Sequence, residues 1–293
     1  MSDKEKHSKG KSLFAVSIGR LKYSPTFIIG SIILAIVVFL CVFAGFICPE
    51  GYDNQNISSR FLQPFEGEGL SNIFGTDNLG RSVLARVLYG GRISLLVAFV
   101  STLFTTVIGT VLGAVSGYFG GKVDSVIMRI LDVFAAIPTI LTAMVISAVL
   151  GNGLLNTMIA VSIPTIPAYA RLIRGPVLTV KNMDYIEAAK SIDAGNTRII
   201  FGHVLPNILS PMIIKTTQGL ATALLSTATL SFLGLGVQPP IPEWGALISA
   251  GREWILTYPY LITIPGIFIA LTVFSFNLIG DALRDAFDPR LKS

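Results

Sequence analysis

Long apolar runs constrain this chain more than any other feature of its sequence. The first run, residues 27–48, contains no charged residue and reaches roughly 33 Å as an α-helix, which is enough to cross a bilayer. Only 13% of the residues are charged, about half the fraction usual in a soluble domain. We therefore expect an all-α integral membrane protein with six transmembrane helices. The five further predicted spans are 93–118, 126–150, 154–172, 208–237 and 259–280.

The distribution of lysine and arginine predicts how these spans are oriented. One side would hold 15 of these cations, in segments 1–26, 118–125, 171–207 and 281–293. The other side would hold 5, in segments 49–92, 151–153 and 238–258. Because cationic loops are retained in the cytoplasm, both termini are predicted to be cytoplasmic. The chain is predicted to begin with a cytoplasmic tail, 1–26, followed by a first transmembrane helix, 27–48, that is kept as a signal anchor. An external loop, 49–92, then leads into a five-helix core, 93–280, which contains a cytoplasmic loop, 171–207. The chain ends in a cytoplasmic tail, 281–293.

A polar stretch in that cytoplasmic loop, DYIEAAKSIDAGNTRIIFGHVLPN (184–207), predicts a helix–turn–helix. The residues that recur at helical spacing on one predicted face are Tyr185, Ala188, Ala189 and Ile192. Asp193 to Asn196 are of types that end one helix and start the next. A face with small residues favours close docking onto a partner. An ordinary solvated loop is the alternative.

Small and polar residues also recur inside the predicted spans. Gly109, Gly113 and Gly117 are spaced by four, which favours close helix packing in lipid. A polar stripe in the fifth span predicts a translocation pathway, with interhelical hydrogen bonding as the alternative. Its members are Lys215, Gln218, Thr222, Ser226 and Thr229. Arg129 and Asp132, three residues apart in the third span, are predicted to pair.

The segment before the last span is rich in proline and contains both tryptophans, Trp244 and Trp254. Tryptophan is enriched where the membrane meets water. We therefore expect QPPIPEWGALISAGREWI (238–255) to form a short surface helix over the outer mouth of the protein.

Catalytic and metal chemistry are not apparent in the sequence. The histidines are His7 and His203, and neither lies in a metal-binding pattern. The nearest phosphate-loop pattern, SGYFGGKVD, has Ser116 and Val123 where the motif needs glycine and a hydroxyl. Cys41 and Cys48 match neither a metal site nor a disulfide framework. We expect no enzymatic activity, no metal, no cofactor and no nucleic-acid partner.

The stretch EAAKSIDAGNTRIIFGHVLPN resembles the EAA motif of ATP-binding-cassette (ABC) importer permeases. Across 74–292 the chain is similar to the C-type subunit of dipeptide, oligopeptide and nickel permeases. Further matching signatures are FGTDNLGRSVLARVLYGGRISL, LSFLGLGVQPPIPEWG and NLIGDALRDAFDPRLK. Ser82 stands where the family usually has an acid. The resemblance implies a type I ABC importer permease fold in the cytoplasmic membrane of a bacterium or archaeon.

The same resemblance implies which residues transmit the action of an ATPase. Glu187, Ala188 and Ala189 would begin a coupling helix, and Leu205 with Pro206 would close the motif. Asp193 replaces the usual glycine, and Gly195 follows two places later. Since aspartate tolerates a left-handed turn and can cap a helix, we expect the turn to persist. The implied partners are a second permease subunit, two ABC ATPases, an extracytoplasmic binding protein and membrane lipid.

Peptides are the predicted cargo, because the predicted spans contain no histidine that would favour nickel. A nickel permease remains the alternative within the family. An ion-coupled secondary transporter is the alternative from another class, although such proteins favour internal repeats and buried acidic sites.

The predicted orientation is testable by cysteine labelling. Single cysteines at positions 56 and 196, replacing Asn56 and Asn196 in a chain without Cys41 and Cys48, should react oppositely with an impermeant thiol reagent. Position 56 should react from outside the cell and position 196 only after the membrane is opened. Equal labelling from outside would contradict the orientation.

Overall fold

The computed structural model describes residues 19, 21–66, 69 and 72–287. Most of the predicted tail 1–26 and the end of the predicted tail 281–293 lie outside this part of the chain. The regular secondary structure of the described residues is helical, and the only extended pairing among them is an isolated bridge between Thr76 and Ser82. We number the principal helices α1 Pro25–Val42, α2 Val83–Phe119, α3 Gly121–Ala135, α4 Thr139–Leu150, α5 Leu154–Ser162, α6 Ile166–Val180, α7 Asp184–Ser191, α8 Leu209–Phe232, α9 Trp244–Gly251 and α10 Tyr260–Phe287.

Helix α2 is the central element and packs against α1, α5, α6, α8, α9 and α10. It begins ten residues before the predicted span 93–118, inside the segment predicted as an external loop. The Ser82 hydroxyl accepts a hydrogen bond from the Ala85 amide at 3.1 Å, so this serine is the N-cap. An acid at this position would be able to cap the helix in the same way. Serine therefore preserves at least that structural role.

The three spaced glycines of α2 lie in its contact with α6. A Cβ atom added to Gly113 would stand 2.4 Å from the carbonyl oxygen of Ala170, and one on Gly109 would stand 2.7 Å from the Tyr169 ring. Gly117 approaches Val177 in the same way, at 2.8 Å. The predicted close packing is confirmed. We call this contact the glycine seam, formed by Gly109, Gly113 and Gly117 against α6.

The predicted span 126–150 is interrupted before Pro138 and consists of two helices. Helices α3 and α4 meet at 86° across a short break, and Pro138 is the N-cap residue of α4. Proline lacks an amide hydrogen and disfavours helical geometry in the residue before it, so the chain turns here. The predicted span 154–172 is similarly divided, by a 3₁₀ turn at Ile163–Thr165 between α5 and α6.

Three described helices are long and apolar enough to cross a bilayer unaided: α1, α2 and α10. The number rises to five if two bent pairs each count as one span, namely α3 with α4 and Asn196–Asn207 with α8, which meet at 69°. Six spans remain a prediction from the sequence. Helix α10 also continues to Phe287, beyond the predicted boundary at residue 280.

Helix α9 is buried in the bundle, so the prediction of a surface helix is wrong. Trp244 is 0% exposed, and its indole Nε1 donates to the Val87 carbonyl at 2.8 Å. Glu243 is equally buried; it accepts a hydrogen bond from Ser94 at 2.8 Å and caps α9 through the Ala246 amide. These partners remove the indole from the interface that tryptophan usually prefers. Trp254, by contrast, is partly exposed.

The glycine seam predicts a sharp difference between two glycine-to-alanine changes. Gly113→Ala should lower the free energy of unfolding by about 1–3 kcal/mol, because the facing backbone oxygen of Ala170 must move away. Gly175→Ala, on α6 with open space around it, is the matched control and should be neutral or slightly stabilising. Unfolding followed in detergent measures both changes. Equal loss in the two variants would contradict this account of the seam.

Candidate functional site

Helix α7 is amphipathic. Of the four residues predicted to share its docking face, Tyr185, Ala188 and Ile192 are exposed and Ala189 is buried. Ile186 is 0% exposed and Ala189 is 7% exposed, and both belong to an internal apolar cluster. Tyr185, Ala188 and Ile192 face outward, together with Glu187. Two different faces of one helix carry small apolar residues, and the spacing alone did not separate them. Ala189 therefore contacts its own chain, and the exposed apolar face contains Ala188.

The turn after α7 has the geometry of a glycine-type C-terminal cap made with aspartate. Asp193 has φ +57°, in the left-handed region. The Ala194 amide donates to the Ala189 carbonyl at 3.1 Å, and the Asp193 amide donates to the Lys190 carbonyl at 2.9 Å. The turn persists with aspartate, as expected. Capping of the next helix by Asp193 does not occur, since Gly195 occupies the N-cap position.

The rest of the stretch is a bent helix. It runs from Asn196 through a π-helical turn, Ile200–Val204, to Leu205–Asn207. Leu205 is half-buried against the same internal cluster as Ile186, and Pro206 is exposed. We call residues 184–207 the coupling segment. Its buried side and its exposed side are both well defined.

The coupling segment is attached to the C-terminal ends of α2 and α6. Its buried residues pack against Ile173, Val177 and Val180 of α6. The Tyr118 hydroxyl at the end of α2 donates to Asn196 Oδ1 at 2.9 Å. Just before the segment, Lys181 Nζ donates to the Gly117 carbonyl at 2.9 Å. A displacement of the coupling segment is therefore transmitted to α2 and α6 together.

Ion pairs join α6 to α3 near the same end. Arg174 donates to both oxygens of Asp124, with a Nε–Oδ1 distance of 2.6 Å, and Ser116 also donates to this carboxylate. Asp132 pairs with Arg171 at 2.7 Å and not with Arg129, so the predicted pair within one helix is wrong. The partner of Asp132 lies on the neighbouring helix α6, and residue spacing within one helix cannot predict such a partner.

A cavity of about 310 Å³ lies between α2, α4, α6 and α8. Three members of the predicted polar stripe line it: Lys215, Thr222 and Ser226. Gln218 and Thr229 do not line it. Gln218 turns toward α10, where a Cβ on Gly280 would lie 3.3 Å from its Cγ atom. The stripe is thus divided between the cavity and a helix contact.

Hydroxyl groups from α2, α4, α6 and the 3₁₀ turn before α6 complete the lining, and these were missed by the sequence reasoning, unlike Thr222 and Ser226 of α8. The hydroxyl-bearing lining residues are Ser101, Thr102, Thr105, Thr139, Thr165, Tyr169, Thr222 and Ser226. A cluster of hydroxyls within the apolar run of α2 was the available signal. Thr105 bonds to the Ser162 carbonyl at 3.1 Å, and Tyr169 bonds to the Thr216 hydroxyl at 3.0 Å. Several of these groups are therefore occupied within the chain.

On the opposite end of α2, Asp77 organises the approach to the helix. Its carboxylate accepts from the Leu79 and Arg81 amides at 2.9 Å and 3.0 Å and pairs with Arg81 and Arg86. Burial by itself raises the pKa of Asp77, but the two guanidinium groups and the amide donors outweigh it and hold that pKa below its usual value. The ionised carboxylate thus holds the turn before α2 in place.

An apolar helical bundle with an internal polar cavity and an exposed helix anchored to its central helices has the architecture of a membrane transport component. Residues 109–293 match the family described as binding-protein-dependent transport system inner membrane component. Residues 12–64 match the N-terminal transmembrane domain of oligopeptide transport permease C. The chain belongs to this family of inner membrane transport components. It is a multi-pass protein of the bacterial cytoplasmic membrane, and its family role is transport and not catalysis.

Individual relatives agree over nearly the whole chain. The dipeptide transport system permease protein DppC of Alkalihalophilus pseudofirmus is 42% identical over 94% of this chain and 89% of that protein. The glutathione transport system permease protein GsiD of Escherichia coli is 45% identical over 89% of this chain and 84% of that protein. An inward-facing MetNI methionine ABC transporter structure has a TM-score of 0.56 at 20% identity, covering 68% of this chain and 95% of that one. This last likeness supports the permease fold.

Proposed function

We propose that this chain is the permease subunit of an ATP-driven peptide importer. It pairs with a second permease chain, is driven by two ABC ATPases and receives its cargo from an extracytoplasmic binding protein. The observation that carries this proposal is the coupling segment, because it presents an exposed apolar face on a helix anchored to α2 and α6. Family membership favours this function over an ion-coupled secondary transporter.

The proposed arrangement places the coupling segment in the cytoplasm with both termini. Six spans, the external loop 49–92 and the cytoplasmic loop 171–207 complete it, as the distribution of cations predicts. The ATPases then dock on Tyr185, Ala188 and Ile192, with Glu187 beside them. ATP-driven closure of the ATPases moves this rigid segment, and α2 and α6 follow.

The cavity favours peptide over nickel as cargo. Among the described residues, Lys215 is the only charged one that lines it, and a cationic side chain repels a divalent metal ion. A peptide presents a carboxylate and several amide groups, which lysine and hydroxyl side chains bind. The relatives named for dipeptide and glutathione transport agree with this choice.

Isolation and reconstitution of the complex test the proposed function. The tagged chain should co-purify with a second permease chain and two ATPases when expressed with its native partners. Proteoliposomes that contain this complex should accumulate a dipeptide only when ATP and the loaded binding protein are supplied. Accumulation driven by a proton or sodium gradient without ATP would contradict the proposal.

The two faces of α7 predict different outcomes for two neighbouring alanines. Ala188→Phe should leave the chain folded and block docking, so that substrate-stimulated ATPase activity and uptake fall together. Ala189→Phe should instead overpack the internal cluster and lower the stability of the chain itself by about 1–3 kcal/mol. ATPase turnover of reconstituted complexes and unfolding of the purified chain separate the two effects.

Glu187→Ala removes an exposed carboxylate from the same side as Ala188 and should show a weaker form of the docking defect. Normal stimulation and uptake in Ala188→Phe complexes would contradict the assignment of the exposed face as the docking surface.

A further inference from the structure

Lys215 is an unusual lining residue for a cavity within an apolar bundle. It lies in the second turn of α8, about one helical turn (roughly 6 Å) before Gly219. Within the part of the chain that the structure describes, no carboxylate lines this cavity and Lys215 makes no salt bridge. Cations at membrane depth are costly, and proteins retain them where they meet a counter-charge or an aqueous path.

Thr102 supplies a second, independent sign that this cavity binds a ligand. The residue is 5% exposed and lines the cavity from α2, yet its hydroxyl oxygen has no hydrogen-bond partner among the described residues. It faces Gly219, where an added Cβ would stand 3.1 Å from the threonine methyl group. A buried hydroxyl without a partner is destabilising, and a bound ligand that accepts its hydrogen bond would offset that cost.

We propose that Lys215 and Thr102 form a subsite for the terminal carboxylate of the peptide cargo. This inference rests on the proposed function and adds to it which end of the peptide the cavity recognises. The lysine ammonium donates to the carboxylate with a full opposite charge. The Thr102 hydroxyl oxygen, which is buried in this structure, donates a further hydrogen bond once the side chain rotates toward the cavity. The cavity volume of about 310 Å³ lies at the lower end for small-molecule sites, which suits part of a short peptide.

The other lining residues account for the remainder of such a ligand. Thr222 and Ser226 continue the face of α8 beyond Gly219, and neither carries a charge. Neutral hydroxyls bind peptide amides without selecting a side chain. The subsite therefore binds the terminal carboxylate that all such peptides share, and the binding protein selects among peptide side chains.

The test compares one dipeptide with its C-terminal amide. Complexes reconstituted in proteoliposomes are supplied with saturating binding protein loaded with alanyl-alanine or with alanyl-alanine amide, and maximal ATP-driven uptake is measured. The same binding protein serves every permease variant. Its own preference for one ligand therefore cancels when each variant is divided by the unmodified complex.

Lys215→Gln should lower uptake of the free acid about ten-fold and leave uptake of the amide within about two-fold. Lys215→Arg retains the charge and should recover most of the uptake of the acid. Thr102→Val removes the hydroxyl without changing the shape and should lower uptake of the acid about three-fold. The matched control is Thr110→Val, because Thr110 is also buried on α2 without a partner but lies outside the cavity.

Several outcomes would overturn the subsite. One is an equal loss of acid and amide uptake in Lys215→Gln together with unchanged uptake in Thr102→Val. Another is loss of the second permease chain from purified Lys215→Gln complexes, which would show that Lys215 binds an acidic group of that partner. If the unmodified complex transports no peptide at all, the proposed function itself fails, and the subsite fails with it.

Discussion

The close approach of α2 and α6 is the contact on which the other features of this protein depend. Without side chains at Gly109, Gly113 and Gly117, the backbone of α6 lies where a Cβ atom of α2 would otherwise stand. Packing between helices in lipid relies on such shape fit, since water does not drive apolar helices together there. The seam holds Tyr169 against the cavity at one level and brings Val177 to the end of α2 at another. Cavity and coupling segment are therefore connected through one rigid pair of helices.

Because of this connection, a movement of the coupling segment would act on α2 and α6. Ile186 and Ala189 are inserted into the apolar cluster that α6 shares with α2, and Tyr118 adds a direct hydrogen bond to Asn196. Packed clusters of this kind move as units and do not deform continuously. Helix α3 is joined to α6 as well, through the pair of Arg174 with both oxygens of Asp124 and through Leu131, which packs with Ile166 and Ala170 of α6. The exposed Arg171–Asp132 pair adds little to this contact.

The features visible in the sequence were those that depend on local spacing. The glycine repeat, the apolar runs and the left-handed turn at Asp193 each follow from a few neighbouring residues. Ala189 was placed with Ala188 on the docking face of α7, because the two residues are chemically identical, but Ala189 is buried. Which of the two alanines is buried depends on contacts with Ile173 and Val177, which belong to another helix, α6.

Long-range partners explain the other differences. Trp244 was expected at the membrane interface. Its indole instead donates to the Val87 carbonyl, and the neighbouring Glu243 accepts a hydrogen bond from Ser94; both of these partners lie far away along the chain. In the span 126–150, Pro138 marks the position of the interruption, but the sequence does not give the angle of 86° between the two helices. The hydroxyls of α2 were overlooked because a long apolar average conceals single polar positions such as Thr102.

A cavity on a transport path must bind its cargo strongly enough to admit it and weakly enough to release it. A site made of one cation, Lys215, and one hydroxyl without a partner, that of Thr102, meets that condition better than a site in which polar groups surround the ligand on every side. Thr105 and Tyr169 already bond within the chain, so their hydroxyls offer a ligand less than Thr102 does. Thr102, Thr105 and Tyr169 lie on the two helices joined by the glycine seam, and the hydrogen bond from Tyr169 to Thr216 ties these helices to α8 beside Lys215. The coupling segment also leads directly into α8, so a movement of the segment would reach the proposed carboxylate subsite from both sides.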